Sequence, residues 1–243
     1  MKILAMDSSG MVASVALLTE QQLIGEYTIN YKKTHSQTLL PMLEEVKQMT
    51  ELNLDEIDAI AVAAGPGSFT GLRIGSATAK GLGLALGKPL IGVPTLEGLA
   101  YQFYGSADII CPIMDARRNQ VYTGVYRFLP CEENGRVTYT METMLSQCAM
   151  DMKELIAWLN QHSDGRVMFL GDGVPVYEKQ IEELLQKPYS FAPAHRNRQS
   201  AATLGVLAIE YYKKGKTESA AEHEPDYLRV SQAERERMER ESN

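Results

Sequence analysis

The stretch AAGPGSFTGLRIG, residues 63–75, decides the fold class of this chain of 243 residues. The apolar run before and into it, residues 57–64, is typical of a buried central strand, and the Gly-Pro-Gly turn ends that strand abruptly. A helix is predicted to follow over residues 70–86, where apolar and small residues recur at helical spacing. A strand, a tight turn and a helix in this order indicate an α/β protein.

The glycine-rich turn allows two interpretations. A turn that opens a helix can offer backbone N–H groups and the positive helix end to an anion, so the loop could hold a phosphate. Its pattern matches neither the P-loop, which needs Lys-Ser/Thr after GxxxxG, nor the dinucleotide fingerprint GxGxxG. We therefore favour a loop built for close contact over one built for catalysis. We call it the signature loop, and its residues are Gly65, Pro66, Gly67, Ser68, Thr70, Gly71 and Arg73.

Small residues recur every four positions along the predicted helix. They are Gly71, Gly75, Ala79, Gly83 and Gly87. Residues four apart share one helix face, so this row would let another backbone approach closely. Each glycine inside a helix costs up to about 1 kcal/mol relative to alanine, and the repetition indicates tight packing there. The row could face its own lobe or an intersubunit helix contact, and the sequence favours neither.

The first hundred residues read as one βββαβα unit. Strands are predicted at residues 2–7, 12–18, 23–30, 57–64 and 90–93, and helices at 35–49, 70–86 and onward from 95, with Thr34 and Thr95 as caps. The same plan restarts later: Met114-Asp115 repeats Met6-Asp7 at a spacing of 108 residues, and each pair precedes a polar turn and a return strand. We interpret this as a degenerate internal duplication, with chance similarity of two hairpins as the alternative.

Four strands and three helices are predicted after residue 108. The strands are residues 109–115, 120–129, 136–141 and 167–170, and the helices are residues 151–161, 176–185 and 200–212. From residue 231 onward the chain is nearly all charged or polar, which is typical of a solvated helix or a disordered tail.

Composition narrows the classes of function. Lys and Arg number 24 against 31 Asp and Glu, and the net charge of −7 disfavours unaided binding to nucleic acid. Cys111, Cys131 and Cys148 have neither the number nor the spacing of a disulfide framework or a zinc site. No apolar run approaches the roughly 20 residues of a spanning helix, and the chain opens as a strand rather than a signal peptide. We expect a cytoplasmic protein that makes no membrane contact.

Asp7 and Asp115 are the candidate carboxylates for chemistry. Each ends a predicted strand before a polar turn, where the two could hold a hydrated divalent cation between facing lobes or simply cap their turns. A helical metal pair that starts at His35 would need a second ligand four residues on, where the chain has Leu39. The other histidines lie in polar segments, and the sequence indicates no Ser-His-Asp or Cys-His arrangement.

Several motifs together resemble the TsaB (YeaZ) family of bacterial tRNA threonylcarbamoyladenosine biosynthesis proteins. They are MDSS at residues 6–9, THSQTLLPML at 34–43, AAGPGSFTGLRIG at 63–75, DARRNQVYTGVY at 115–126 and PDYLR at 225–229. The resemblance implies a two-lobe actin-like ATPase fold of the ASKHA type, which agrees with the duplicated βββαβα units. Residues 1–105 would form the N-terminal lobe, completed by a helix near 200–214. Residues 106–199 would form the C-terminal lobe, and residues 215–243 a C-terminal segment and charged tail.

The resemblance also implies a protein that does not transfer threonylcarbamoyl itself. It would pair with the catalytic subunit TsaD and, together with the ATPase TsaE, support modification of adenosine in tRNA, or form a homodimer when its partner is missing. The catalytic relative has an HxxxH metal pair where this chain has His35 and Leu39, so neither a metal nor a cofactor is expected. Arg117 and Arg118, which follow Asp115, would crowd the phosphates of a nucleotide.

Family proteins of this kind associate through their first two helices, which gives the expected partner-binding residues. They are Thr34, His35, Ser36, Leu39, Leu40, Leu43, Phe69, Leu72, Gly75, Ser76 and Ala79, with Gly75 and Ala79 at the centre. Two enzymatic alternatives stay open. One is an actin-fold ATPase or phosphotransferase that uses Asp7 and Asp115 around magnesium, and the other is a peptidase, for which no nucleophile and base are visible.

Overall fold

The computed structural model describes residues 1–228 and forms two lobes, each built on a five-stranded sheet. The first lobe contains strands β1 (Lys2–Asp7), β2 (Val12–Thr19), β3 (Leu23–Asn30), β4 (Ala59–Gly65) and β5 (Leu90–Pro94), and helices α1 (His35–Met49), α2 (Phe69–Leu86) and α3 (Thr95–Tyr101). The second contains strands β6 (Ile109–Asp115), β7 (Gln120–Glu133), β8 (Arg136–Asp151), β9 (Val167–Leu170) and β10 (Tyr189–Phe191), and helices α4 (Met152–His162) and α5 (Val174–Leu184). A last helix, α6 (Ala201–Lys213), follows.

The two sheets have the same topology. The first runs β3-β2-β1-β4-β5 and the second β8-β7-β6-β9-β10. Strands β1 and β6 take the same central position, since each pairs antiparallel with the next strand and parallel with the strand after the first helix. The predicted internal duplication and the two-lobe actin-like architecture are thereby confirmed.

The first sheet is covered on both faces. In β1, Leu4 and Met6 pack with α1 and α2, whereas Ile3 and Ala5 pack with α6 on the opposite face. Successive side chains of a strand point to opposite faces, so a strand covered on both sides needs apolar residues throughout. The same holds for β4, whose apolar residues face both cores and which ends at the signature loop.

Side chains from β2 and β3 hold the start of α6. The Ala201 N–H donates to Ser14 Oγ at 2.9 Å, and the Ala202 N–H donates to Glu26 Oε1 at 3.1 Å. The Ser200 hydroxyl also donates to Glu26 Oε1, at 2.8 Å. The first N–H groups of a helix have no partner within the helix, so these acceptors both satisfy them and fix α6 to the first sheet.

Most predicted elements lie within two residues of the observed ones, and the exceptions have physical reasons. Strands β7 and β8 form one long hairpin, paired from Gln120 with Asp151 to Glu133 with Arg136, so both predicted strands were too short. The register shifts after Thr123, and no strict alternation marks the added part. The three-residue strand β10 was missed, because such a short half-buried run carries no periodic signal.

One of the two predicted threonine caps is confirmed and the other needs correction. Thr34 is the N-cap residue of α1, as predicted; its backbone carbonyl accepts the Gln37 N–H at 2.9 Å, and its side chain makes no capping hydrogen bond within the described residues. Thr95 is the first residue of α3 and Pro94 precedes it, so the predicted cap lies one position too late. The charged residues from 231 onward lie outside the described residues.

Ser14→Ala tests the attachment of α6. The substitution removes the buried acceptor of the Ala201 N–H, and we expect the free energy of unfolding to fall by roughly 1–3 kcal/mol. Thr28→Ala is the matched control, because the Thr28 hydroxyl bonds the same Ser14 Oγ at 2.6 Å but leaves the helix acceptor in place. It should cost about 1 kcal/mol or less. Urea denaturation measures both, and equal small losses would contradict the role of Ser14.

Candidate functional site

The turn between β1 and β2 sits directly on the signature loop. The Ser68 N–H donates to the Ser9 carbonyl at 2.6 Å, and the Ser8 hydroxyl donates to the Gly71 carbonyl at 2.9 Å. A Cβ on Gly67 would overlap the Ser9 carbonyl oxygen, and one on Gly71 would overlap the Ser8 carbonyl oxygen. The glycines of the loop are therefore required by the close approach of the chain's own backbone.

The start of α2 is also capped from within the chain. The Ser68 side chain accepts the Gly71 N–H at 3.3 Å, and the Ser68 carbonyl accepts the Leu72 N–H at 2.8 Å. Of the two interpretations that the sequence left open, the geometry supports close intramolecular contact. The exposed members of the loop are Ser68, Thr70 and Arg73, and the Arg73 guanidinium stacks 3.9 Å above the Phe69 ring.

The row of small residues on α2 faces its own lobe. A Cβ on Gly75 would lie 2.6 Å from Ser8 Oγ, and one on Gly83 would lie 3.1 Å from the Ala220 Cβ. Ala79 between them is fully buried. Gly87 ends the row differently, since it follows the helix with φ of 62° as a left-handed cap. Of the two alternatives for this row, packing within the lobe is the one observed.

This orientation divides the predicted partner-binding set, which stays a prediction, into buried and exposed members. Its buried members are Leu39, Leu43, Leu72, Gly75, Ser76 and Ala79. His35 and Phe69 are partly buried, and Thr34, Ser36 and Leu40 are exposed. A partner that docks on the folded lobe can contact the exposed members and the exposed parts of His35 and Phe69, whereas Gly75 and Ala79 pack against their own lobe.

A second row of small residues lies on the outward face of α2. The row is Ala77, Gly81 and Ala85, and we call these residues together with the adjacent Leu84 the outward strip. Leu84 is 69% exposed, and a Cβ on Gly81 would meet no described atom within 4 Å. On the neighbouring helix α1, Leu40 is 55% exposed. The four-residue spacing of Ala77, Gly81 and Ala85 was visible in the sequence, but nothing local distinguished this row from the buried one.

His35 joins three elements. Its Nε2–H donates to the Gly10 carbonyl at 2.8 Å, and a Cβ on Gly71 would lie 3.4 Å from its Cδ2. Its Nδ1 is buried, and residues 1–228 provide no hydrogen-bond partner for it. His35 therefore ties α1 to the β1–β2 turn and to the signature loop, a structural position for a residue predicted to bind a partner.

Asp7 ends β1 in a buried position, only 3% exposed. Its Oδ1 accepts the Ser9 N–H at 2.8 Å and the Ser9 hydroxyl at 2.6 Å. Burial raises the pKa of the Asp7 carboxyl, and the two bonds from Ser9 and the nearby His35 oppose that rise. This carboxyl therefore closes its own turn.

Asp115 ends β6 at the equivalent position of the second lobe. Its Oδ1 accepts the Arg117 N–H at 2.9 Å and the Tyr177 hydroxyl at 3.3 Å. The Arg117 guanidinium lies 3.3 Å from Asp115 Oδ2. Arg117, Arg118 and Asn119 all have positive φ, at 65°, 55° and 61°. This left-handed turn brings the Arg117 side chain back onto the carboxylate that a cation would need.

A cavity of about 640 Å³ lies between the two lobes. Ser9 and Gly10 of the β1–β2 turn and Arg118 of the β6–β7 turn contribute to its wall, together with Asp115 and Asp172. Asp172 accepts the Asp115 N–H at 3.1 Å, and burial raises the pKa of its carboxyl. Asp172 was not predicted as a site residue, although it follows a predicted strand within a Gly-Asp-Gly turn.

Residues 1–228 offer neither a metal-binding cluster nor a membrane-spanning helix. No group of three His, Cys, Asp or Glu side chains could hold a metal ion in that part of the chain. None of the helices there is long and apolar enough to cross a bilayer.

A family model, curated relatives and a solved structure are all similar to this chain over most of its length. The family model of TsaD, tRNA N6-adenosine threonylcarbamoyltransferase, matches residues 22–237. A tRNA threonylcarbamoyladenosine biosynthesis protein TsaB of Bacillus subtilis is 35% identical over 240 residues, 96% of each chain. The TsaB protein of Escherichia coli is 31% identical and covers 94% of this chain and 95% of its own. The solved structure of YeaZ from Pseudomonas aeruginosa has a TM-score of 0.72 at 27% identity, over 93% of this chain and 99% of its own.

Gly71→Ala tests the contact between the β1–β2 turn and α2. The added Cβ would overlap a backbone oxygen of Ser8, so we expect the free energy of unfolding to fall by roughly 1–3 kcal/mol. Gly81→Ala is the matched control on the same helix, where open space and higher helix propensity predict a gain of up to about 1 kcal/mol. Chemical denaturation decides, and a Gly71→Ala variant as stable as Gly81→Ala would contradict the contact.

The raised pKa of Asp7 predicts a pH dependence of stability. The folded protein binds the proton of the Asp7 carboxyl more tightly than the unfolded chain does. Protonated Asp7 therefore stabilises the fold, and this contribution is complete below the usual pKa of 3.8. It is lost as the pH rises through the higher pKa of the folded state. Asp7→Asn cannot ionise, so its stability relative to the wild type should be greater at pH 7 than at pH 4. Denaturant midpoints at both pH values measure this, and a constant or reversed difference would contradict the raised pKa.

Proposed function

This chain belongs to the TsaB family of tRNA threonylcarbamoyladenosine biosynthesis proteins, and we propose that it acts there as a non-catalytic subunit that pairs with the catalytic subunit TsaD. It holds that subunit in its active arrangement through the exposed face of α1 and α2. The TsaE ATPase is the further partner in this proposal. When TsaD is missing, a second copy of the chain uses the same face to form a homodimer.

The outward strip is the observation that carries the proposal. Between Arg73 and Lys88 the only charged residue of the helix region is Lys80, and its ammonium donates to backbone carbonyls at Ala221 and His223. An exposed helix face of alanine, glycine and leucine permits close helix-to-helix packing, and α1 adds the exposed side chain of Leu40. Such a face is typical of a surface that another helix covers.

The choice of TsaD as partner rests on likeness between the two chains. The TsaD family model matches 216 residues of this chain (22 to 237), so the two proteins share one architecture. Related chains can pair the same two helices against each other in a pseudo-symmetric contact, as identical chains do in an isologous dimer. TsaD and a second copy of this chain would therefore compete for the same exposed face of α1 and α2.

Three features support a role without catalysis. Asp7 Oδ1 accepts two hydrogen bonds from Ser9, and the Arg117 guanidinium lies against Asp115, so a hydrated cation would compete with these contacts at both carboxylates. His35 donates to the Gly10 carbonyl and has Leu39 at the position of a second metal ligand. The net charge of −7 further favours contact with tRNA through a partner over direct binding.

Gly81→Arg tests the docking face. A large charged side chain in the middle of a close helix contact should weaken association with TsaD at least tenfold, about 1.4 kcal/mol, because it overpacks the contact and buries a charge. Gly165→Arg is the matched control, since a Cβ there also meets no described atom within 4 Å but lies in the second lobe. Calorimetric titration with the TsaD subunit measures both, and equal affinity of the two variants would overturn the proposal.

An actin-fold ATPase is the second candidate, and the interlobe cavity with Asp115 and Asp172 favours it. We expect titration of the full chain with ATP and magnesium to give no saturable binding, because Arg117 already occupies Asp115. Saturable binding together with ATP turnover that Asp7→Asn abolishes would support the enzyme instead.

A further inference from the structure

The segment after α6 wraps around the edge of the first sheet. We call residues 216–228 the C-terminal strap. The chain turns at Gly215, with φ of 70°, and Glu218 then exchanges two backbone hydrogen bonds with Leu90 of the edge strand β5, at 2.9 and 3.0 Å. Helix α6 packs on one face of the sheet, whereas Ala220 packs with the core on the other face. The C-terminal part of the chain thus holds the sheet from both sides.

The C-terminal strap then follows α2 along its length in the opposite direction. Ala220 lies against Gly83 near the end of the helix. The Lys80 ammonium donates to the carbonyls of Ala221 and His223, at 3.4 and 2.9 Å. The Tyr227 ring lies 5.0 Å from the Phe69 ring, at the first residue of the helix. Contacts therefore extend from one end of α2 to the other.

The strap packs closely against glycines of the first lobe and contains a buried polar pair. A Cβ on Gly92 would lie 3.0 Å from Glu218 Oε1, and one on Gly65 would overlap the Asp226 carbonyl oxygen. The Asp226 N–H donates to the Ala64 carbonyl at 2.7 Å. The His223 ring is 1% exposed and pairs through Nδ1 with Glu218 Oε1 at 2.7 Å. These close contacts belong to a specific packed segment, because a loosely lying one would not require them.

The second lobe also contacts the strap. Gln147 on β8 donates through Nε2 to Asp226 Oδ2 at 2.9 Å. Leu228 contributes to the wall of the interlobe cavity, as do Asp226 and Tyr227. The strap is therefore a physical link from the second lobe and the cavity to the first turn of α2.

We propose that the C-terminal strap is a latch that transmits the position of the second lobe to α2. Helix α2 lies between two supports, with the α1 residue His35 near Gly71 on one flank and the strap near Lys80 on the other. These flanks border the outward strip on either side, given about 100° of rotation per residue. When the second lobe releases Asp226, the strap loosens and α2 loses one support. The consequence for partner docking rests on the function proposed above.

Hydrogen exchange of the full chain tests the latch without any partner. Gln147→Ala removes only the link from the second lobe, and Tyr227→Ala removes the contact with Phe69. We expect the amides of residues 69–86 to exchange about fivefold faster in both variants, because one lost hydrogen bond or ring contact lowers the local opening free energy to that extent. Gln180→Ala is the matched control, since Gln180 likewise donates through Nε2 to a side chain, Asn119, and has a buried Oε1.

Each outcome is decisive. Faster exchange of α2 in Gln147→Ala and Tyr227→Ala, with Gln180→Ala unchanged, supports the latch. Faster exchange in Tyr227→Ala alone would overturn the transmission from the second lobe, and equal exchange in all variants would overturn the latch as a whole. The proposed function is tested separately by the titration with TsaD. If that function is wrong, Gly81→Arg leaves the association with TsaD intact, whatever the hydrogen-exchange result.

Discussion

The rest of the structure depends on one backbone contact, between the β1–β2 turn and the first turns of α2. The carbonyl oxygens of Ser8 and Ser9 approach so closely that Gly67 and Gly71 admit no side chain. The same turn accepts a hydrogen bond from His35 and so fixes α1. Because this contact decides which side of α2 faces the sheet, it also decides that Ala77, Gly81, Leu84 and Ala85 face outward.

The fold was largely predictable from the sequence, because its strands and helices carry strong periodic signals. Helix α1 and strands β1, β3, β6 and β9 begin and end at the predicted residues, and the repeat of Met6-Asp7 at Met114-Asp115 revealed the duplication. The long β7–β8 hairpin was less predictable, because a register shift interrupts its alternation.

The candidate site was predicted less well, for a specific reason. Helix α2 carries two rows of small residues four apart, Gly71-Gly75-Ala79-Gly83 and Ala77-Gly81-Ala85, and intrinsic propensity does not distinguish an inward row from an outward one. The orientation is set by contacts with Ser8 and Ala220, which are distant in sequence, and with Val62 of the preceding strand. The C-terminal strap was not predicted either, because its residues show no periodic pattern. They are held by contacts with α2 and β5, which are distant in sequence.

The two hairpin aspartates occupy equivalent positions in the duplicated framework. In both lobes the carboxylate ends the central strand and accepts the N–H two residues on, at Ser9 and at Arg117. Each of these two carboxylates is therefore held by a hydrogen bond from its own turn, and Asp115 is also held by the Tyr177 hydroxyl. On this account the functional surface lies on the outside of the first lobe.

Radical footprinting of the full chain, alone and mixed with the TsaD subunit, tests that central claim most directly. Leu84 and Leu40, 69% and 55% exposed in the free chain, report on the outward strip and on α1. Val137, 56% exposed on the second lobe, serves as the internal reference. The account predicts that TsaD protects Leu84 and Leu40 from oxidation and leaves Val137 unchanged. Protection of Val137 with Leu84 and Leu40 still fully oxidised would contradict it.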